Sequence, residues 1–199
     1  MTREMLFALA LGYLLGSIPF GLILTRLAGR GDVREIGSGN IGATNVLRTG
    51  SKPLAVLTLL LDCLKATAAI LIAQRLFGAE TGVFAAAGAL IGHLYPVWLG
   101  FRGGKGVATL LGILIALVPV AAAVYAAVWI FLLLTLRISS LAGMTAAISA
   151  PILAFAMHSS LSPLLLGFAL LVLWRHRENI LLLKKGTEPR IGTKPSSTA

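Results

Sequence analysis

Residues 107–137 read VATLLGILIALVPVAAAVYAAVWIFLLLTLR. The apolar run from Val107 to Leu136 is about 30 residues long, holds no charged side chain, and has Pro119 near its middle. A single membrane-crossing helix needs about 20 apolar residues. The run is therefore either one long tilted span or two short ones that turn near Pro119, where the missing N–H and the pyrrolidine ring oppose a continuous helix. That choice sets the side of the membrane on which every later segment lies.

Charge decides it. With a turn near Pro119, the segment 28–52, the 101–106 loop, Arg137 and a tail carrying Arg175, Arg177, Lys184, Lys185, Arg190 and Lys194 all share one side. The links near Glu80, Pro119 and Ser159–Ser162, which contain no Lys or Arg, share the other. A single span would put the basic tail opposite the basic 28–52 segment, against the positive-inside rule. The expected fold is all-α: a polytopic membrane protein with seven transmembrane helices, N-terminus outside and C-terminus cytoplasmic. The other spans fall at about Met5–Leu27, Pro53–Phe77, Val83–Leu99, Ser140–Met157 and Leu164–Trp174.

Composition agrees with a membrane protein. Of 199 residues, 57% are hydrophobic and 12% charged, against about 25% charged in a soluble domain; mean hydropathy is +0.92. No composition shift marks a boundary, so residues 1–199 read as a single integral membrane domain with a flexible tail at about 190–199. The Met5–Leu27 stretch exceeds the ~7–15 residues of a signal-peptide core and no A-x-A site follows it, so it is read as a retained span. Pro19 is expected to kink it. Net charge is +10, which fits positive-inside signalling, anionic lipid and an anionic substrate. The basic residues sit at span ends rather than on one soluble face, which argues against nucleic acid. Cys63, the only cysteine, lies in an apolar run and reads as a packing residue. Asp62 and Lys65, three apart in the second span, are neighbours on one helix face and read as an ion pair or as groups facing a polar cavity.

Two polar stretches interrupt the hydrocarbon. The first is GSGNIGATNVLR, residues 37–48. Gly37, Gly39 and Gly42 admit positive φ, which lets successive amides form an anion nest. Ser38, Asn40, Thr44 and Asn45 add side-chain donors, and Arg48 adds fixed charge. The second is FRGGKG, residues 101–106, carrying Gly103, Gly104 and Lys105. Both fall on the cytoplasmic side under the topology above, as do Arg137 with Ser139 and Ser140, and the HRENI segment at 176–180. His176 and Asn179 share a face if the last span continues as helix. Each piece also has a plainer reading as a tight connection, a topology signal or a helix cap.

Several chemistries are excluded. The spacing Gly37-x4-Gly42-Ala43-Thr44 imitates a nucleotide P-loop, but Ala43 replaces its lysine and no βαβ unit surrounds it. His93, His158 and His176 are scattered, and too few acids exist for a divalent-metal phosphotransferase, so no metal and no cofactor are expected. No G-x-S-x-G elbow occurs. Trp98, Pro163 and Leu181 stand at the fifth position after the three histidines, so an H-x4-D dyad is absent. Anion binding and polar orientation remain. A transporter of a phosphorylated anion is the alternative, and it would need a path through Asp62 and Lys65.

These motifs resemble the bacterial acyl-phosphate:glycerol-3-phosphate acyltransferases, the PlsY family. The resemblance rests on GSGNIGATNVLR at 37–48, GHLYPVWLGFRGGKGVAT at 92–109 and HRENI at 176–180, with GSIPFG at 16–21 and LDCLK at 61–65. It implies a seven-span inner-membrane enzyme, active on the cytoplasmic face. Such an enzyme moves an acyl chain from acyl phosphate to the 1-hydroxyl of glycerol 3-phosphate, without acyl-CoA or acyl carrier protein. It implies functional coupling to the enzyme that makes acyl phosphate. By the resemblance, Ser38, Gly39, Asn40 and Thr44, with Gly42 and Asn45, hold the acyl phosphate. Arg48, Gly103, Gly104, Lys105, Ser140, His176 and Asn179 bind glycerol 3-phosphate, and Lys105, Ser140, His176 and Asn179 form the catalytic set. Arg137-Ile138-Ser139-Ser140 departs from the family pattern, which has an aromatic residue after the arginine; Ser140 stands at the matching serine position. An acyl phosphate is already activated, so positioning and oxyanion stabilisation suffice without a protein nucleophile. The base is His176 or a substrate phosphate oxygen.

Overall fold

The computed structural model describes residues 1–192; of the tail expected at about 190–199, residues 193–199 lie outside the described residues. Among the described residues the chain is helical with no strand. The helices are α1 (Arg3–Gly16), α2 (Phe20–Leu27), α3 (Ala43–Leu47), α4 (Lys52–Phe77), α5 (Gly82–Leu94), α6 (Val107–Leu117), α7 (Pro119–Leu136), α8 (Ser139–Ala156), α9 (Ser162–Arg175) and α10 (Arg177–Lys184). Short 3-10 turns sit at Val33–Glu35, Ala79–Thr81 and Val97–Leu99.

Among the described residues five segments are long and apolar enough to cross a membrane: Arg3–Leu27, Lys52–Phe77, Ala79–Leu99, Pro119–Leu136 and Ser139–Ala156. Val107–Leu117 and Ser162–Arg175 are apolar but shorter. At 11 residues, α6 is about 16 Å long, roughly half of a ~30 Å hydrocarbon core. The 107–136 run does divide at the proline: α6 ends at Leu117, Val118 leaves helical geometry (φ −145°, ψ 74°), and Pro119 opens α7.

The chain forms two compact units, Met1–Pro119 and Val120 onward. In the first, α4 is the central post and contacts α1, α2, α3, α5 and α6. In lipid no hydrophobic force draws helices together, so close approach of small residues must. Added Cβ atoms at Gly12 and Gly16 of α1 would run into the backbone of Ala85 and Ala89 of α5. Gly88 and Gly92 of α5 meet the backbone of α1 in the same way, at Leu9 and Tyr13. Gly112 of α6 rests on the backbone at Cys63 of α4, and Thr67 Oγ1 donates to the Gly112 carbonyl at 2.8 Å. Cys63 is buried there, as its packing role required.

The first span is broken rather than kinked. Helix α1 stops at Gly16 and α2 starts at Phe20, with Pro19 between them. The interruption turns carbonyls that a continuous helix would use toward other elements. Ser17 O accepts from the Trp98 indole N–H at 2.8 Å, and Ile18 O accepts from Lys65 Nζ at 2.8 Å.

In the second unit α8 packs on α9, and α10 follows α9 after a break at His176. The segment after α10 folds back to the start of α8. Ile191 N–H donates to Arg137 O at 2.7 Å, and Arg137 Nε–H donates to Ile191 O at 3.1 Å.

Candidate active site

In the 37–48 segment, Gly37 (φ 56°) and Gly39 (φ 66°) adopt the left-handed conformation that glycine favours. Gly42 does not: at φ −80° it is the extended residue before α3. Three amides expected to face an anion are used inside the loop instead. Ser38 N–H donates to Asn45 Oδ1 at 3.2 Å, Gly39 N–H to Ile36 O at 3.0 Å, and Gly42 N–H to Asn40 Oδ1 at 3.0 Å. The loop needs these bonds because no strand or long helix supports it.

Asn45 is the hub. Its Nδ2 lies 2.7, 2.9 and 2.8 Å from the carbonyl oxygens of Val33, Ile36 and Asn40. An amide nitrogen has two hydrogens for these three acceptors, and the side chain is only 2% exposed. Asn45 therefore ties the loop together rather than facing a substrate. Arg48 is exposed and stands over the turn: its guanidinium donates to Asn45 Oδ1 at 3.3 Å, and a Cβ at Gly37 would meet its Nη1 at 2.6 Å. Ser38 is exposed, while Asn40 and Thr44 are half-buried. Below the loop, Leu22, Val33, Ile41, Val46 and Ala55 form a small core, and Leu99 packs on it. Leu99 lies just ahead of the 101–106 loop, so both glycine loops rest on this core.

The flank of the first loop is braced by Asp32, which accepts from Arg26 at 2.6 Å and from Arg34 at 2.6 and 2.9 Å. The Arg34 guanidinium holds the Asp32 carboxyl well below the usual carboxylate range, against a smaller opposing effect of burial. The brace thus stays ionised throughout the physiological range.

The second loop hangs on the end of α5. Gly103 N–H donates to Leu94 O at 3.1 Å and Gly104 N–H to His93 O at 3.0 Å. Added Cβ atoms would strike His93 O at Gly103 and the His93 ring at Gly104. These glycines permit close approach, and their amides face α5 rather than a ligand. Lys105 follows directly and is half-buried.

Asp62 and Lys65 are the buried charged side chains among the described residues, 3% and 6% exposed. Lys65 Nζ lies 2.7 Å from Asp62 Oδ1, 2.8 Å from Ile18 O and 3.0 Å from His93 Nδ1. The sequence identified this pair and named His93 only as one of three scattered histidines. A transport path would need these two groups, and both are locked in the interior.

In the second unit, Ser140, His176 and Asn179 are buried, 7%, 2% and 9% exposed. Ser140 Oγ–H donates to Glu188 Oε1 at 2.5 Å and Asn179 Nδ2–H donates to the same oxygen at 2.7 Å. Glu188 Oε2 is buried with no hydrogen-bond partner. Two uncharged donors thus already hold an anionic oxygen. Glu188 went unnoticed in the sequence, although it is the only acid after Glu178 in a basic tail. His176 Nδ1 lies 2.7 Å from Val172 O. A carbonyl only accepts, so Nδ1 carries a proton and Nε2 is the nitrogen able to take or relay another. Among the described residues no three His, Cys, Asp or Glu side chains group as metal ligands.

Known proteins narrow the reading. The family model described as "Glycerol-3-phosphate acyltransferase" matches residues 6–186. A glycerol-3-phosphate acyltransferase of Mesorhizobium japonicum is 57% identical over 195 residues, covering 98% of this chain and 100% of the relative. Those of Rhodopseudomonas palustris and Brucella anthropi are 56% and 55% identical over 188 and 195 residues, covering 94% and 98% of this chain and 96% of each relative. Among solved structures, the crystal structure of PlsY (YgiH), an integral membrane glycerol 3-phosphate acyltransferase, in its glycerol 3-phosphate form superposes with TM-score 0.88 at 43% identity. It covers 95% of this chain and 96% of that one. Its lysophosphatidic acid form gives 0.85 at 42%, with the same coverage. The likeness runs through the whole helical scaffold and both loops, well beyond any single glycine motif, and the chain belongs to the glycerol-3-phosphate acyltransferase family.

Proposed function

We propose that this protein transfers a fatty acyl group from acyl phosphate to the 1-hydroxyl of sn-glycerol 3-phosphate, giving lysophosphatidic acid and phosphate. This is the first acylation of phospholipid synthesis. The observation that carries the reading is the chemistry of the polar side chains: cations and neutral donors suited to phosphate, with no activated nucleophile among them. The substrate hydroxyl oxygen attacks the acyl carbonyl carbon, the bond to the phosphate oxygen breaks, and phosphate leaves with the electron pair. The mixed anhydride supplies the driving force, so transfer is direct and no acyl-enzyme forms. The hydroxyl proton passes to His176 Nε2 or to a substrate phosphate oxygen.

Ser38, Gly39, Asn40 and Thr44 serve the phosphate of the acyl donor, on a loop that Asn45 and the Gly42 amide keep in shape. Arg48 and Lys105 supply positive charge to glycerol 3-phosphate, and Gly103 and Gly104 place Lys105. Ser140 and Asn179 supply donors of the kind they already give to Glu188, and His176 the proton-handling nitrogen. The protein is a seven-span resident of the bacterial inner membrane, with these groups at the cytoplasmic face. It works in sequence with the enzyme that makes acyl phosphate.

The test uses purified protein in nanodiscs with palmitoyl phosphate and labelled glycerol 3-phosphate, following lysophosphatidic acid and phosphate together. Equal release of both, absent with palmitoyl-CoA as donor, is expected. Turnover with palmitoyl-CoA alone would overturn the donor assignment. His176→Ala separates the two bases: a loss confined to KM for glycerol 3-phosphate removes His176 as the base.

A further inference from the structure

Three groups buried inside the first unit have no place in the chemistry above. Asp62 and Lys65 lie on one face of α4, and His93 lies at the last turn of α5. All three side chains are at least nine-tenths buried. An ammonium has three N–H donors and no acceptor. Those of Lys65 are matched by Asp62 Oδ1 at 2.7 Å, Ile18 O at 2.8 Å and His93 Nδ1 at 3.0 Å. Because Lys65 can only donate, His93 Nδ1 accepts, and the imidazole is the neutral form with its proton on Nε2. Asp62 Oδ1, 3.7 Å from His93 Nδ1, is thus bonded to the lysine and not to the ring. The Phe20 ring closes the fourth side, its centroid 5.8 Å from Lys65 Nζ.

Two of these contacts lead toward the second glycine loop. Ile18 lies in the Ser17–Pro19 break, and Ser17 O holds the Trp98 indole ahead of the second loop. The His93 carbonyl receives the Gly104 amide, the next carbonyl receives the Gly103 amide, and the His93 ring fills the space a Cβ at Gly104 would take. The imidazole is fixed at one edge by Lys65 and lies against Gly104 at the other. A rotation of the ring would push directly on the residue before Lys105.

We propose that Asp62, Lys65 and His93 form a buried hydrogen-bonded post that sets the position of residues 103–105, and so places the Lys105 ammonium for the phosphate of the acyl acceptor. They are positioning residues, not catalytic ones. Close van der Waals packing alone would hold the helices equally well in lipid. A chain of directional bonds adds a fixed ring orientation, and that orientation sets the loop. The inference rests on the assignment of Lys105 to glycerol 3-phosphate.

The test compares five full-length variants in nanodiscs: Lys105→Ala, the double variant Asp62→Leu with Lys65→Met, Gly104→Ala, and each of the last two combined with Lys105→Ala. The Leu/Met pair removes both charges together, so no lone buried charge is left to unfold the protein. Gly104→Ala displaces the loop with the charges intact and decides the matter if the Leu/Met protein does not fold. The expected result is a rise of about 10-fold or more in KM for glycerol 3-phosphate with kcat within about threefold and KM for palmitoyl phosphate unchanged. Neither change should add to Lys105→Ala in the combined variants. A raised KM in Lys105→Ala with an unchanged KM in a folded Leu/Met or Gly104→Ala protein overturns the post. So does a loss of kcat and thermal stability with KM unchanged, the signature of a purely structural role. An unchanged KM in Lys105→Ala itself overturns the assignment of Lys105, whatever the other variants do.

Discussion

At the scale of single residues, the 37–48 loop separates side chains left open to solvent from side chains that hold the loop. Ser38 and Asn45 look alike in sequence as polar neighbours of glycine. In three dimensions Ser38 is exposed and Asn45 is 2% exposed beneath three carbonyls. Asn45→Ala strands those carbonyls and the Ser38 amide away from water, at a cost of about 2–4 kcal/mol. Ser38→Ala removes nothing that the fold uses. Asn45→Ala should therefore lower the thermal unfolding midpoint and activity together. Ser38→Ala should lower activity about 10-fold or more with the midpoint unchanged. Unfolding curves in detergent beside initial rates decide it, and a Ser38→Ala protein destabilised as far as Asn45→Ala would overturn the distinction. The sequence could name both residues as polar and loop-borne. It could not show which amide faces inward, because that depends on carbonyls at 33 and 36, outside the motif.

At the scale of elements, glycine spacing does the work that hydrophobicity does in water. Gly12 and Gly16 recur one turn apart on α1 and meet Ala85 and Ala89, also one turn apart, on α5. The contact is with backbone, which cannot yield as a long side chain can. Gly16→Ala should force α1 and α5 apart and cost about 1–3 kcal/mol or more. Gly167→Ala in α9 is the control: a Cβ there meets nothing within 4 Å, and a helix-interior Gly→Ala change stabilises by about 0.5–1 kcal/mol. Unfolding midpoints should move in opposite directions for the two variants. The break at Pro19 was marked only as a kink, because the partners that stabilise the freed carbonyls, Trp98 and Lys65, are remote in sequence.

At the scale of the whole molecule, topology follows from the placement of charge and is open to direct measurement. In a Cys63→Ala background, single cysteines at Pro119 and Gly186 should react with an impermeant thiol reagent from opposite sides of the membrane. Pro119→Cys should label from outside and Gly186→Cys from the cytoplasm. Labelling of both from the same side would remove the seven-span arrangement. The Val118 break between α6 and α7 shows that the 107–136 run is two helices, the alternative that the distribution of charge favoured.

The sequence by itself determined the class of the protein and carried the proposal of anionic ligands. Long apolar runs leave only helices, because a backbone in lipid must satisfy its own hydrogen bonds. Glycine loops that carry Arg48 and Lys105 are the basis of the anion-binding proposal. What only the tertiary structure decided is which polar groups hold other polar groups. Asn45, the amides of Gly42, Gly103 and Gly104, and the Asp62–Lys65–His93 chain are turned inward. Glu188 reaches back to Ser140 and Asn179 from a segment that looked like a mere basic tail. Local pattern gives each residue its type and its periodic face. The partner of a buried donor is set by which distant carbonyl, carboxylate or ring the packed helices bring within 3 Å, and that is a property of the folded chain alone.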